Sequence, residues 1–203
     1  EEYLQKDQYI YVGSDEAVAG ELQANYVLDQ YASKDILNVA IFKGESTHSA
    51  TKGRTKANKA ALEASGKTIN YVYEDYADWS TDTAAKMFRQ FLRTGQDVDA
   101  VICNNDSMAV GVVQAAEQEK LDLSKLPVLG VDATADGLDL IKKGKMACTI
   151  FQPAKGQGEE AVLAAQKLAA GESITSLSGA EKNGLYVWVP FEQVTSDNVT
   201  QYQ

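Results

Sequence analysis

The sequence predicts an α/β protein built on a parallel, doubly wound sheet of five strands, and three observations carry that expectation. Between Ile36 and Gln152, short β-branched runs and segments of helical spacing alternate four times and then end on a strand. The connections between them are short throughout. Each run also ends in polar residues, as in the triplet Asn104-Asn105-Asp106 after Val101-Ile102-Cys103, which is how strands terminate at the ligand-binding edge of an open parallel sheet. With right-handed crossovers, strand order 2-1-3-4-5 follows.

Taken in order, Tyr9 to Val12 is a short β-rich run closed by Gly13-Ser14-Asp15, after which Val18, Leu22 and Tyr26 recur at helical spacing to about Tyr31. Ile36 to Phe42 is the first strand of the alternating region, and an Ala-rich helix from Ser49 to Ala64 follows its polar loop. Ile69 to Tyr73 is the second. From Thr81 to Arg93, Ala84, Met87, Phe88, Phe91 and Leu92 share one helical face, a stripe for packing on a sheet. The third strand runs into a helix reaching about Glu119. Val128 to Val131 forms the fourth, with Thr134 as N-cap of a helix that Gly144 ends. Ala147 to Phe151 is the fifth, followed by a helix from Gly156 to Ala170 and a last strand from Leu185 to Val189.

Composition narrows the function. At 203 residues, 44% of them hydrophobic, the chain can bury a sizeable core. Its net charge of −10 argues against nucleic acid and anionic membranes, which bind basic faces. No apolar run is long enough to span a bilayer, and no signal-peptide pattern opens the sequence. Two cysteines and one histidine make no zinc-site spacing. The strand order separates Cys103 from Cys148 by an intervening strand, at about 9.6 Å, so both are expected as free, inert thiols. No dinucleotide or Walker glycine pattern follows a strand, and no Gly-x-Ser-x-Gly elbow occurs, so an enzyme is not expected. A phospho-receiver domain with Asp106 or Asp132 as acceptor lacks the paired acids after the first strand.

At the carboxyl edge of the predicted sheet gather His48 and Arg54 after the first strand, Trp79 after the second, Asn105 after the third, Asp132 after the fourth and Gln152 after the fifth. Taken singly, each has a mundane role as cap, turn or solvated residue. Together they suit an uncharged polyhydroxylated ligand, because amides, carboxylates and Arg engage vicinal hydroxyls and a flat aromatic covers the C–H face of a sugar ring. Within the triplet, Asn105 is read as the ligand contact and Asp106 as the helix cap that holds it, with Asn104 unassigned.

Five blocks carry a resemblance: Tyr-Val-Gly-Ser-Asp (11–15), Val-Ile-Cys-Asn-Asn-Asp-Ser-Met-Ala-Val-Gly (101–111), Val-Leu-Gly-Val-Asp-Ala (128–133), Ala-Cys-Thr-Ile-Phe-Gln (147–152) and Val-Pro-Phe-Glu (189–192). In order and over almost the whole chain, they resemble those of type I periplasmic sugar-binding proteins, the solute receptors of ABC importers. The resemblance implies that Arg54, Asn105 and Asp132 hydrogen-bond sugar hydroxyls, that Gln152 at the interlobe crossing also reaches the ligand, and that His48 and Trp79 match the galactose/glucose receptor and point to a hexose. That receptor's calcium loop has no counterpart here, and neither a metal nor a cofactor is implied.

The resemblance further implies two lobes, with residues 14–152 plus 190–203 as the C-terminal sugar-binding lobe and residues 1–13 and 153–189 as remnants of the N-terminal lobe, most of which is missing. Expected partners are a monosaccharide, ABC permease subunits and the missing lobe, in an extracytoplasmic setting, periplasmic or as a cell-surface lipoprotein. A fragment of this kind is expected to bind sugar weakly or undetectably, and its remnant helix to pack on a second copy of the chain or on the second lobe. The effector-binding domain of a LacI-type transcription regulator shares the fold and is the alternative; Trp79 and Val189-Pro190-Phe191 favour the transport receptor.

Overall fold

The computed structural model describes residues 3–202. In chain order the elements are β1 (Tyr11–Gly13), α1 (Glu16–Gln30), β2 (Ile36–Lys43), α2 (Ser49–Ala64), β3 (Thr68–Tyr76), α3 (Thr81–Leu92), β4 (Ala100–Cys103), α4 (Asp106–Gln118), β5 (Val128–Leu129), α5 (Ala135–Lys142), β6 (Thr149–Phe151), α6 (Ala154–Ala169), β7 (Tyr186–Trp188) and β8 (Glu192–Val194). They divide into two compact units, residues 16–151 with 192–203 and residues 1–15 with 152–191.

The larger unit holds a parallel sheet of order β3-β2-β4-β5, the expected order for the first four strands of the alternating region. Successive side chains alternate across it. Ala40, Phe42, Val101, Cys103 and Val128 join the buried cluster made with α3 and α4, where Phe88 meets Phe42 edge-on and stacks on Phe91. Ile41, Ile102 and Leu129, all fully buried, take the opposite face. Two glycines let neighbouring helices close on each other. A Cβ at Gly20 on α1 would lie 2.2 Å from the Arg54 carbonyl oxygen on α2, and one at Gly111 on α4 would lie 2.1 Å from the Thr81 carbonyl oxygen on α3.

The fifth strand departs from expectation. β6 lies beside β5 through single parallel bridges, Leu129 to Cys148 and Asp132 to Phe151, and not through a continuous ladder. The cause is local: the Val131 carbonyl accepts from the Asp106 N–H, and Asp132 and Ala133 adopt φ of +115° and +54°, which turns the chain away from strand geometry. The other edge of β6 pairs antiparallel with β8, a strand that the sequence pattern did not indicate. Both cysteines are buried and unbridged.

In the smaller unit β1 and β7 pair in parallel, and Val187, Ala164 and Ile174 form its buried cluster with Val12 and Leu168. The predicted first run shifts to Tyr11–Gly13, because Tyr9 bridges back to Gln5.

Candidate functional site

The loops at the carboxyl edge of the sheet all end in helix caps. His48 Nδ1 accepts from the Ala50 N–H to cap α2, Ser80 caps α3, Asn105 Oδ1 accepts from Met108 N–H at 3.0 Å to cap α4, and Thr134 caps α5. Each cap satisfies a backbone donor that has no partner within its helix and fixes where the loop leaves the sheet. His48 and Asn105 are therefore structural as well as candidate ligand groups; with Oδ1 engaged, Asn105 offers its amide N–H groups.

Asp106 is not the cap. It opens α4 fully buried, with Oδ1 accepting from the Thr149 hydroxyl at 2.6 Å and Oδ2 from the Thr134 N–H at 2.7 Å and the Thr134 hydroxyl at 3.1 Å. It thus ties α4 to the start of α5 and to β6. Burial pushes its carboxyl up to about 7; the hydrogen bonds from Thr149 and Thr134 oppose the rise, and nearby Asp132 adds to it. The glycine of the Gly-Val-Asp block gives this carboxylate room: a Cβ at Gly130 would sit 2.1 Å from Asp106 Oδ1.

Asn104 is the hub that sequence reasoning left without a role. Nearly inaccessible, it extends the sheet by donating its N–H to the Phe42 carbonyl. Its side-chain Oδ1 accepts from the Gly44 N–H and the Thr55 hydroxyl, both at 3.2 Å, and its backbone carbonyl accepts from Arg54 Nη1 at 2.6 Å. One residue thereby fixes the β2 loop, α2 and the arginine.

Arg54 is only 4% exposed. Besides Asn104 it meets Glu16, with Nε donating to Oε2 at 2.6 Å, and Asp132, with Nη1 3.9 Å from Oδ1. Glu16 was missed by sequence reasoning, since only the folded structure brings α1 beside α2. Asp132 sits on strained backbone and keeps about a third of its side chain exposed. Burial raises its carboxyl to about 6, with Arg54 pulling it back and Glu16 pushing it further up. From α1, Gln23 Nε2 donates to the carbonyls of Cys103 and Gly130 and so holds the ends of β4 and β5 together.

A second group forms over the β2 loop. The Trp79 indole lies against Gly44, where a Cβ would come within 2.1 Å of the ring, and His48 meets Trp79 edge-on with ring centroids 5.3 Å apart. Trp79 and Asp78 both hold positive φ, a conformation that non-glycine residues adopt mostly where surrounding structure demands it. The predicted residues thus gather as two neighbouring sets, Arg54 with Asp132 and His48 with Trp79, joined through Asn104 and Gly44. Gln152 is the first residue of the second segment of the smaller unit, where its carbonyl accepts from the Ala154 N–H.

Among the described residues no cluster of three or more His, Cys, Asp or Glu could hold a metal ion, and no helix is long and apolar enough to cross a membrane. The arrangement offers fixed charged and amide groups beside an aromatic face, which is the chemistry of binding.

Comparison with known proteins agrees with this. The periplasmic binding protein domain matches residues 3–173. Over 97% of its length the chain is 31% identical to the putative rhizopine-binding protein of Rhizobium meliloti, of which it covers 60%. It is 30% identical, again over 97% of its length, to the D-galactose/methyl-galactoside binding periplasmic protein MglB of Haemophilus influenzae, of which it covers 61%. Among solved structures, an ABC transporter solute binding protein from Bacillus halodurans C-125 with bound myo-inositol superposes with a TM-score of 0.82 at 33% identity, over 95% of this chain and 62% of that one. One from Actinobacillus succinogenes 130z with bound D-allose gives 0.83 at 26% identity, over 98% and 65%. The chain spans about three-fifths of the length of these relatives.

Proposed function

We propose that this chain, which belongs to the periplasmic binding protein domain family of binding proteins and not enzymes, supplies one side of a binding site for a small polyhydroxylated ring. The ligand is a monosaccharide, a hexose in the first instance, delivered to the permease of an ABC importer outside the cytoplasm. In this reading the larger unit is the C-terminal lobe and residues 1–13 and 153–189 are parts of the N-terminal lobe, whose remaining portion supplies the other side of the site. The solute receptors of known ligand that resemble the chain support the transport role over a regulator's effector domain.

The observation that carries the proposal is the Arg54–Asp132 pair at the carboxyl edge, a buried guanidinium 3.9 Å from a partly exposed carboxylate. A carboxylate accepts from two hydroxyls at once and a guanidinium donates in a planar fork, so the pair can grip adjacent ring hydroxyls. Trp79 offers an apolar face for ring C–H groups, while Asn105 adds amide donors. A cyclitol is the second reading, favoured by the myo-inositol held in the solved structure at 33% identity.

With one side of the site in the chain, weak binding is expected. Saturation-transfer NMR with D-galactose, D-ribose and myo-inositol tests this. Transfer to ring protons, abolished in Asp132→Asn, is expected for at least one of them; equal transfer in that variant, or none to any of the three, would reject the assignment.

A further inference from the structure

We infer that Glu16 is a positioning residue of the ligand-binding edge, holding the Arg54 guanidinium by its Nε so that the direction of the guanidinium and its share of charge toward Asp132 are both set from α1. The inference rests on the reading of Arg54 and Asp132 as ligand groups and extends it to a residue whose side chain contacts the arginine.

Three independent features bring Glu16 to this place. Its Oε2 lies 2.6 Å from Arg54 Nε, a charge-assisted hydrogen bond far closer than the 3.9 Å from Arg54 to Asp132. Gly53, the residue before Arg54, presents no side chain to α1: a Cβ there would lie 2.8 Å from the Glu16 Cβ. Gly20, one turn further along α1, admits the Arg54 carbonyl at a distance no other residue would tolerate. The α1–α2 contact is therefore built around the arginine from both sides of Glu16. A carboxylate in the first turn of α1 is also a favourable partner of the helix dipole.

The chemical consequence is a division of one positive charge between two carboxylates. Arg54 from α2 and Glu16 from α1 are the charged groups that act on Asp132, which in turn helps raise buried Asp106 on α4. Because Glu16 takes the closer hold on Arg54, Asp132 is left with partial compensation, and a hydroxyl-bearing ligand completes its hydrogen bonding. Without Glu16 the guanidinium turns to Asp132, and the two groups satisfy each other instead of a ligand.

The test uses the whole chain with Glu16→Gln and Glu16→Ala, each first checked for native folding by its amide spectrum. Carboxyl-carbon NMR follows the titration of Asp132, and the Arg54 Nε–H resonance follows the guanidinium, both without ligand. In Glu16→Ala the Asp132 midpoint falls by about one unit and the Nε–H resonance moves. In Glu16→Gln, which keeps an acceptor for Nε but not the charge, the midpoint falls while the resonance moves less. Binding of myo-inositol or D-galactose weakens by about tenfold in Glu16→Ala and is partly restored in Glu16→Gln. An unchanged Asp132 midpoint together with an unchanged Nε–H resonance in Glu16→Ala would overturn the inference. These two readouts need no ligand, so a failure of every sugar to bind the unaltered chain would count against the sugar reading and leave the Glu16 result to be judged separately.

Discussion

Arg54 Nη1 donates to the backbone carbonyl of Asn104 at 2.6 Å across fifty positions of sequence, and the same asparagine's side chain accepts from Gly44 and Thr55. Removing that side chain leaves the buried Gly44 N–H and the Thr55 hydroxyl without an acceptor. Asn104→Ala is therefore expected to destabilise the larger unit by about 1–3 kcal/mol in urea unfolding. It also loosens the loop beneath Trp79, shifting that residue's fluorescence. Unaltered stability and emission would show that the hub is dispensable.

Asp106 predicts a particular sign of pH dependence. Its folded-state midpoint of about 7 lies above the ordinary 3.8, so between those values the folded chain binds the extra proton. Its contribution to stability is present below the unfolded midpoint and is lost as pH rises through 7, at a slope of up to about 1.4 kcal/mol per pH unit. Asp132, raised to about 6, acts in the same direction. Melting temperatures measured between pH 4.5 and 7.5 should fall more steeply for the unaltered chain than for Asp106→Asn; parallel curves would contradict the assignment.

Close approach at glycine separates two alanine substitutions. Gly111→Ala forces a Cβ to 2.1 Å from the Thr81 carbonyl oxygen, whereas Gly158, in α6, has no atom within 4 Å of the added carbon. The first should destabilise by about 1–3 kcal/mol, and the second should stabilise by roughly 0.5–1 kcal/mol through helix propensity. Chemical denaturation followed by circular dichroism reads both. Equal effects would mean that the α3–α4 approach does not depend on the missing side chain.

The thiols are the simplest check on strand order. Burial pushes the Cys103 thiol well up and the Cys148 thiol to about 12, so neither is a nucleophile near neutral pH. Alkylation without reductant should label neither in the native chain and both after unfolding. An intramolecular bridge found by mass spectrometry would refute the placement of β5 between them.

What was legible in the sequence was local. The α3 stripe, the Thr134 cap and the Gly144 terminus each depend on residues within a turn or two, and all three stand where the pattern places them. Alternation of short strands and helices gave the parallel sheet. The misreadings lie where partners are distant. Asp106 carries the signature of a cap, yet its bonds run to Thr134 and Thr149 while Asn105 does the capping. The hydrogen bond that Arg54 donates to Glu16 spans 38 positions and leaves no periodic trace. β8 is three residues long and is recognised only through its pairing with β6. In the candidate site, residue types at strand ends could be read, but which atoms were already engaged by the protein could not.

The most direct measurement of the central claim is a residue-resolved amide and side-chain NMR titration of the chain with myo-inositol and with D-galactose. Shifts are expected at the Arg54 Nε–H, the Trp79 indole N–H and the Asn105 side-chain amide, saturating together with one of these ligands and lost in Asp132→Asn. Shifts confined to residues away from this edge, or surviving that substitution unchanged, would contradict it.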